Sequence, residues 1–92
     1  MAVNESFEAL ADPSRRAILE YLQEGSLSAG EIASRLPIGK PAVSHHLNKL
    51  KAAGLVSSER DGQSIIYSLN TTVFQDLMRW FYGFKGIKGD KK

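Results

Sequence analysis

Apolar residues recur with two different periods along this chain, and the change of period marks its elements. Val43, Leu47 and Leu50 fall at i, i+4 and i+7, which makes one stripe of a helix. Pro41, Ser44, His45, Asn48, Lys49 and Ala52 point mostly away from that stripe. Gly54 stands where a helix ends in a C′ residue. Beyond it the period shortens to two. Residues 55–60 and 64–69 read as short strands flanking Asp61-Gly62-Gln63, because Asp and Gly both tolerate positive φ in a hairpin turn. Ile65, Tyr67 and Leu69 form a buried side of the second strand, and Ile66 on the other side interrupts the alternation. Arg60 and Gln63 lie at the tip. The pattern predicts a helix running straight into a hairpin, the arrangement of a recognition helix and a wing.

The remaining helices follow from caps and spacing. Residues 4–11 predict a short first helix with Phe7, Leu10 and Ala11 apolar. Asp12-Pro13 starts a second, with an N-cap acceptor followed by proline at the first helical position. It runs to about residue 24, with Ile18, Leu19 and Leu22 facing inward, and Gly25 stops it. Ser28-Ala29-Gly30-Glu31 reads as a capping box opening a third helix to about residue 36, with Ile32, Ala33 and Leu36 inside. The third and fourth helices make a helix-turn-helix. Asn70 caps a last helix from residue 71 to about 84. The fold class expected is mainly α with a small antiparallel hairpin, in the order α-α-α-α-β-β-α.

Composition narrows the function. Ninety-two residues suit one domain with a thin core, here residues 1–84, followed by a flexible basic tail over 85–92. The absence of cysteine excludes thiol catalysis, disulfides and thiolate metal sites, and it fits a cytoplasmic protein. Acids near the start, where a signal peptide needs cations, and the lack of a long apolar run argue against secretion or membrane insertion. The net charge of +2 is unevenly spread: residues 1–36 carry three basic and six acidic groups, residues 37–92 nine and four. Lys49 and Lys51 alone would read as a solvated helix face. Small residues, hydrogen-bonding groups and positive charge with no acid on the outer face, followed by a hairpin, point instead to a DNA major groove.

The sequence also resembles a known family. The stretches that carry the likeness are Leu10-Ala11-Asp12-Pro13-Ser14-Arg15-Arg16-Ala17-Ile18-Leu19, Val43-Ser44-His45-His46-Leu47-Asn48-Lys49-Leu50, Gly54-Leu55-Val56, and the hairpin from Arg60 to Leu69. Together with the order of elements they are similar to the ArsR/SmtB-type bacterial repressors. Lys40-Pro41 and Tyr67-Ser68-Leu69-Asn70-Thr71-Thr72-Val73 resemble the SdpR-like autorepressor branch. The resemblance implies a homodimeric transcriptional repressor with a winged helix-turn-helix fold, bound to a double-stranded operator. It implies base contacts from Ser44 and His45, close approach of Lys40 and Pro41, and a wing reaching the flanking backbone or minor groove.

The departures from the family matter as much. Many members sense metals through cysteines on the third helix or Asp and His groups on the last. Here the third helix has no thiol, and the last has Asp76 without histidine. His45 and His46 are adjacent, so their side chains diverge by about 100° and cannot chelate one ion. No metal site, no other cofactor and no catalytic constellation is readable, so no enzyme is expected. Either repression is constitutive, or the signal arrives through a regulatory protein partner or a small molecule. His45 reads as a DNA contact and His46 as a packed, hydrogen-bonded helix histidine. The DNA-binding set is then Lys40, Pro41, Ser44, His45, Asn48, Lys49, Arg60 and Gln63. On the last helix Val73, Leu77, Trp80, Phe81 and Phe84 form one stripe, widened by Phe74, Met78 and Tyr82. A thin domain cannot easily cover so many aromatics, so a dimer interface is expected from Phe7, Leu10, Val73, Phe74, Leu77, Trp80, Phe81 and Phe84. The alternative, a winged helix that binds protein, would favour acids or apolar residues on the recognition face.

Overall fold

A computed structural model describes residues 3–84. The elements are α1 (Val3–Leu10), α2 (Pro13–Leu22), β1 (Leu27–Ser28), α3 (Ala29–Ser34), α4 (Lys40–Ala52), β2 (Val56–Asp61), β3 (Ser64–Leu69) and α5 (Thr71–Tyr82). The helices form in the expected order, and the winged helix-turn-helix is present. The expected tail over 85–92 lies outside the described residues.

Local chemistry sets the helix ends. Asp12 caps α2 by accepting from the N–H groups of Ser14 (2.8 Å) and Arg15 (3.1 Å). Ser28 and Glu31 close a reciprocal capping box at α3, with Ser28 N–H donating to Glu31 Oε1 at 2.8 Å. Both α2 and α3 stop about two residues short of expectation. Their last N–H groups, in Gln23, Glu24, Arg35 and Leu36, turn to carbonyls three residues back. The tightened turns leave the helix before its apolar pattern ends. At α4 the end is a Schellman motif: Gly54 N–H donates to Lys51 O (2.9 Å) and Leu55 N–H to Leu50 O (3.0 Å). Gly54 has φ +79°, a conformation that favours glycine.

The sheet has one strand more than the hairpin. β1 pairs antiparallel with β3, and β3 pairs with β2, giving the order β1-β3-β2. Two residues are too few for a periodic signal. Ser28 has an extended backbone because it caps α3, and the same conformation lets it pair with Ile66. At the other end Asp61 pairs with Ser64, so the turn is Gly62-Gln63 rather than three residues. Ile65, expected on the buried side, is exposed because the strand outruns the core there. Asn70 stands at the N-cap of α5 but its side chain makes no capping bond; its N–H donates to Leu55 O at 2.9 Å, joining the end of β3 to the exit of α4.

The core lies between α2, α3, α4 and the base of the wing. Ile18, Ile32, Leu47, Leu50 and Leu55 are fully buried, with Val43, Leu19, Leu22, Val56, Tyr67 and Leu77 around them. On α1 the buried side is Ser6 and Ala9. Small residues let α1 lie close to its neighbours, and Phe7 is turned outward. Leu77, expected at an interface, is 5% exposed and belongs to the chain's own core.

Candidate nucleic-acid interface

Helix α4 presents three distinct sides. Val43, Leu47 and Leu50 bury one in the core. Pro41, Ser44, His45 and Asn48 are all exposed on the side opposite, as the helical period requires. Gly39 is the N-cap and offers no side-chain oxygen, so the first turn keeps free N–H groups beside Lys40. Lys40 and Ser44 also edge a groove toward Ala29, Gly30 and Ala33 of α3.

The flank toward α1 is less simple. Lys49 and Ala52 share a hollow of about 200 Å³ with Glu5, Glu8 and Ala9 of α1. The outer face has no acid in its own helix, yet the fold sets two carboxylates beside one of its cations. On the same flank lies His46, half-buried. Its Nδ1 is 3.2 Å from Arg15 Nη1, and its Nε2 is 3.8 Å from Asp12 Oδ2. His46 is therefore packed and hydrogen-bonded while His45 is exposed, as the spacing predicts.

Arg15 was not legible as a site residue. Besides meeting His46, it donates from Nε to Ala9 O (2.7 Å) and from Nη2 to Glu8 O (3.1 Å). Arg16 donates to Leu10 O at 2.7 Å. Two guanidinium groups thus cap the carbonyl end of α1, where positive charge is favoured. Burial works against ionisation of Asp12. The N–H groups of Arg15 and Ser14, with the Arg15 guanidinium, outweigh it and hold the carboxyl below the ordinary carboxylate range.

Arg60 and Gln63 are exposed at the free end of the wing, on a separate element from the α4 set. A second surface is aromatic. Phe7 of α1 meets Trp80 (5.5 Å between ring centroids) and Phe81 (5.9 Å), and Trp80 meets Phe84 at 4.9 Å, all edge to face. Trp80 and Phe81 remain about two-fifths exposed, and Met78, Tyr82 and Phe84 about half. Leu10, Val73 and Phe74 are half-buried and pack against the core. Among the described residues no three His, Cys, Asp or Glu side chains gather as a metal site, and no helix is long and apolar enough to cross a membrane.

The arrangement of α2, α3, α4 and the first wing strand has a counterpart in sequence. Residues 12–58 match the model of the bacterial regulatory protein family arsR. The chain belongs to the ArsR family. The match begins at the Asp12 cap and takes in Arg15, His45 and His46. A transcriptional repressor, SdpR of Bacillus subtilis, is 51% identical over 88 residues, covering 96% of this chain and 97% of that protein. The HTH-type transcriptional regulator Rv2034 of Mycobacterium tuberculosis is 46% identical over 75% of this ArsR-family chain, which spans 64% of that protein. Among solved structures, an ArsR-family transcriptional regulator superposes with a TM-score of 0.88 at 24% identity, covering 99% of this chain and 100% of the other. An ArsR-like regulator from Rhodococcus sp. RHA1 reaches 0.79 at 35% identity over 86% of this chain and 74% of its own. The family is one of transcriptional regulators rather than enzymes.

Proposed function

We propose that this chain is a homodimeric transcriptional repressor that reads an inverted-repeat operator in double-stranded DNA. The observation that carries the reading is the exposed, acid-free face of α4, with Pro41, Ser44, His45 and Asn48 set beside a projecting wing. Ser44 and His45 read base edges, with Asn48 beside them. Lys40, Lys49, Arg60 and Gln63 hold the phosphate backbone, and Pro41 permits close approach. The similarity to the SdpR repressor over nearly the whole of both chains supports repression. The exposed aromatic surface of Phe7, Trp80, Phe81 and Phe84, with half-buried Leu10, Val73 and Phe74 on the same two helices and completing the expected interface, supports pairing of two copies.

A gel-shift assay on DNA upstream of the chain's own gene tests the reading. The wild type is expected to bind one sequence far more tightly than random DNA. His45→Ala should lose about 1–3 kcal/mol on that sequence and relax preference at one base position. Unchanged affinity and unchanged base preference would remove His45 from the reading.

The same reading has no metal sensor. The acids available on α3 and α5 are already engaged, Glu31 by Ser28 and Asp76 by Arg79 at 2.9 Å. Zinc, nickel or copper at one equivalent should leave operator affinity unchanged. Release of DNA by stoichiometric metal would refute this.

A further inference from the structure

The apolar stripe of α4 fixes its depth in the fold and limits its roll. Contacts of Val43, Leu47 and Leu50 are non-directional, so they define the angle less sharply than a hydrogen bond does. Outer side chains stand about 5–6 Å from that axis, and a roll of about 20° moves them by about 2 Å. That is enough to break a hydrogen bond to a base edge. The turn at Gly54 ties the C-terminal end of α4; nearer its N-terminal half a directional side-chain contact sharpens the angle.

His46 supplies it. Its ring lies on the α1–α2 flank of α4, between the buried stripe and exposed His45. Arg15 is a donor only, so the nitrogen it meets at 3.2 Å, Nδ1, must be the acceptor and carry no proton. The ring proton then sits on Nε2, toward Asp12 Oδ2 at 3.8 Å. The same guanidinium is anchored through Nε and Nη2 on the carbonyls of Ala9 and Glu8 at the end of α1. One side chain thus joins the last turn of α1 to the second turn of α4, and Asp12 fixes the backbone of Arg15 from below.

We propose that His46 is a positioning residue for DNA reading: through its Nδ1 and Arg15 it sets the roll of α4 against α1, and so decides where Ser44 and His45 meet the bases. The inference rests on the operator-reading function proposed above. It separates two properties of binding. Base contacts need the angle, whereas lysines on flexible stems reach phosphates over a range of angles.

The experiment uses the full chain and the DNA sequence that the wild type selects from a random pool. Asparagine places its Oδ1 where the histidine Nδ1 stands, whereas phenylalanine keeps a ring without an acceptor. His46→Phe is expected to weaken binding to the selected sequence about tenfold, with binding to random DNA unchanged. His46→Asn should stay within about threefold of wild type on both. Adding His46→Phe to an Arg15→Met background should cause no further loss. Should His46→Phe fail to fold, long-range nitrogen–proton NMR of the wild-type imidazole reads the tautomer directly, with the proton expected on Nε2. A proton on Nδ1, equal losses for the Asn and Phe variants, or full operator affinity in His46→Phe would each overturn the inference. A wild type that selects no sequence would overturn the repressor reading itself.

Discussion

Asp12 does more than cap a helix, and acid should reveal it. Its folded carboxyl is held below the ordinary range, as is that of Glu31, which the N–H and hydroxyl of Ser28 stabilise in its charged form. The unfolded chain therefore takes up protons first as pH falls. The stability these groups contribute is complete above the unfolded carboxylate value and is lost as pH drops through the lower folded value. Asparagine caps a helix about as well as aspartate, so Asp12→Asn isolates the charge. In urea unfolding, the variant should be less stable than wild type at pH 7, and the two should converge below about pH 4. Lys49 makes a second case. Lys49→Ala should weaken binding to all DNA alike and lower the salt slope by about one. Glu8→Gln should strengthen binding about two- to threefold at low salt, an effect that fades as salt is raised. An unaltered Glu8→Gln titration would mean the hollow isolates its charges. The outer face of α4 was readable from sequence because one helix's surface follows its own period. The acids beside Lys49 and the meeting of Arg15 with His46 were not, since both join residues more than thirty positions apart.

At the scale of elements, short-range chemistry made most boundaries readable. The Asp12-Pro13 start, the Ser28–Glu31 box and the Gly54 stop each rest on residues within a few positions of one another. What escaped was β1, whose pairing with β3 spans some forty residues, and the inward side of α1, where Ser6 and Ala9 outcompete Phe7 for the interior. The junction of α4 with the wing offers a direct test. A side chain at position 54 would take on the positive φ, and its Cβ would come within 3.5 Å of Val73 Cγ2. Gly54→Ala should cost about 1–2 kcal/mol of stability in urea unfolding. Loss of no stability would show that the Schellman turn relaxes without penalty.

For the whole molecule, the proposed pairing of two copies puts the aromatic surface to the test. Charged residues at Trp80 and Phe81 should give a folded monomer by sedimentation and circular dichroism, one that binds the full operator far more weakly because linkage of two half-sites is lost. In the dimer, the half-sites should be centred about 10 bp apart, roughly 34 Å. A wild type that sediments as a monomer at micromolar concentration and binds one half-site as tightly as a full palindrome would sink this picture. Leu77 is the wrong position for such a test, since its substitution would damage the core first. The wing has a consequence of another kind. At its base β3 is held on both sides, by β1 and β2, while beyond Ile66 only the two strands of the ribbon continue to Gly62-Gln63. Anchored helix and free tip are thus separable, and the ribbon works as a gauge of adjustable length. Adding one residue to each strand would advance the tip by about 3.3 Å but exchange its two faces; adding two would advance it about 6.6 Å and restore them. In the operator complex proposed above, reach along the duplex would therefore change by insertion at the tip, in steps of two, with α4 left in place.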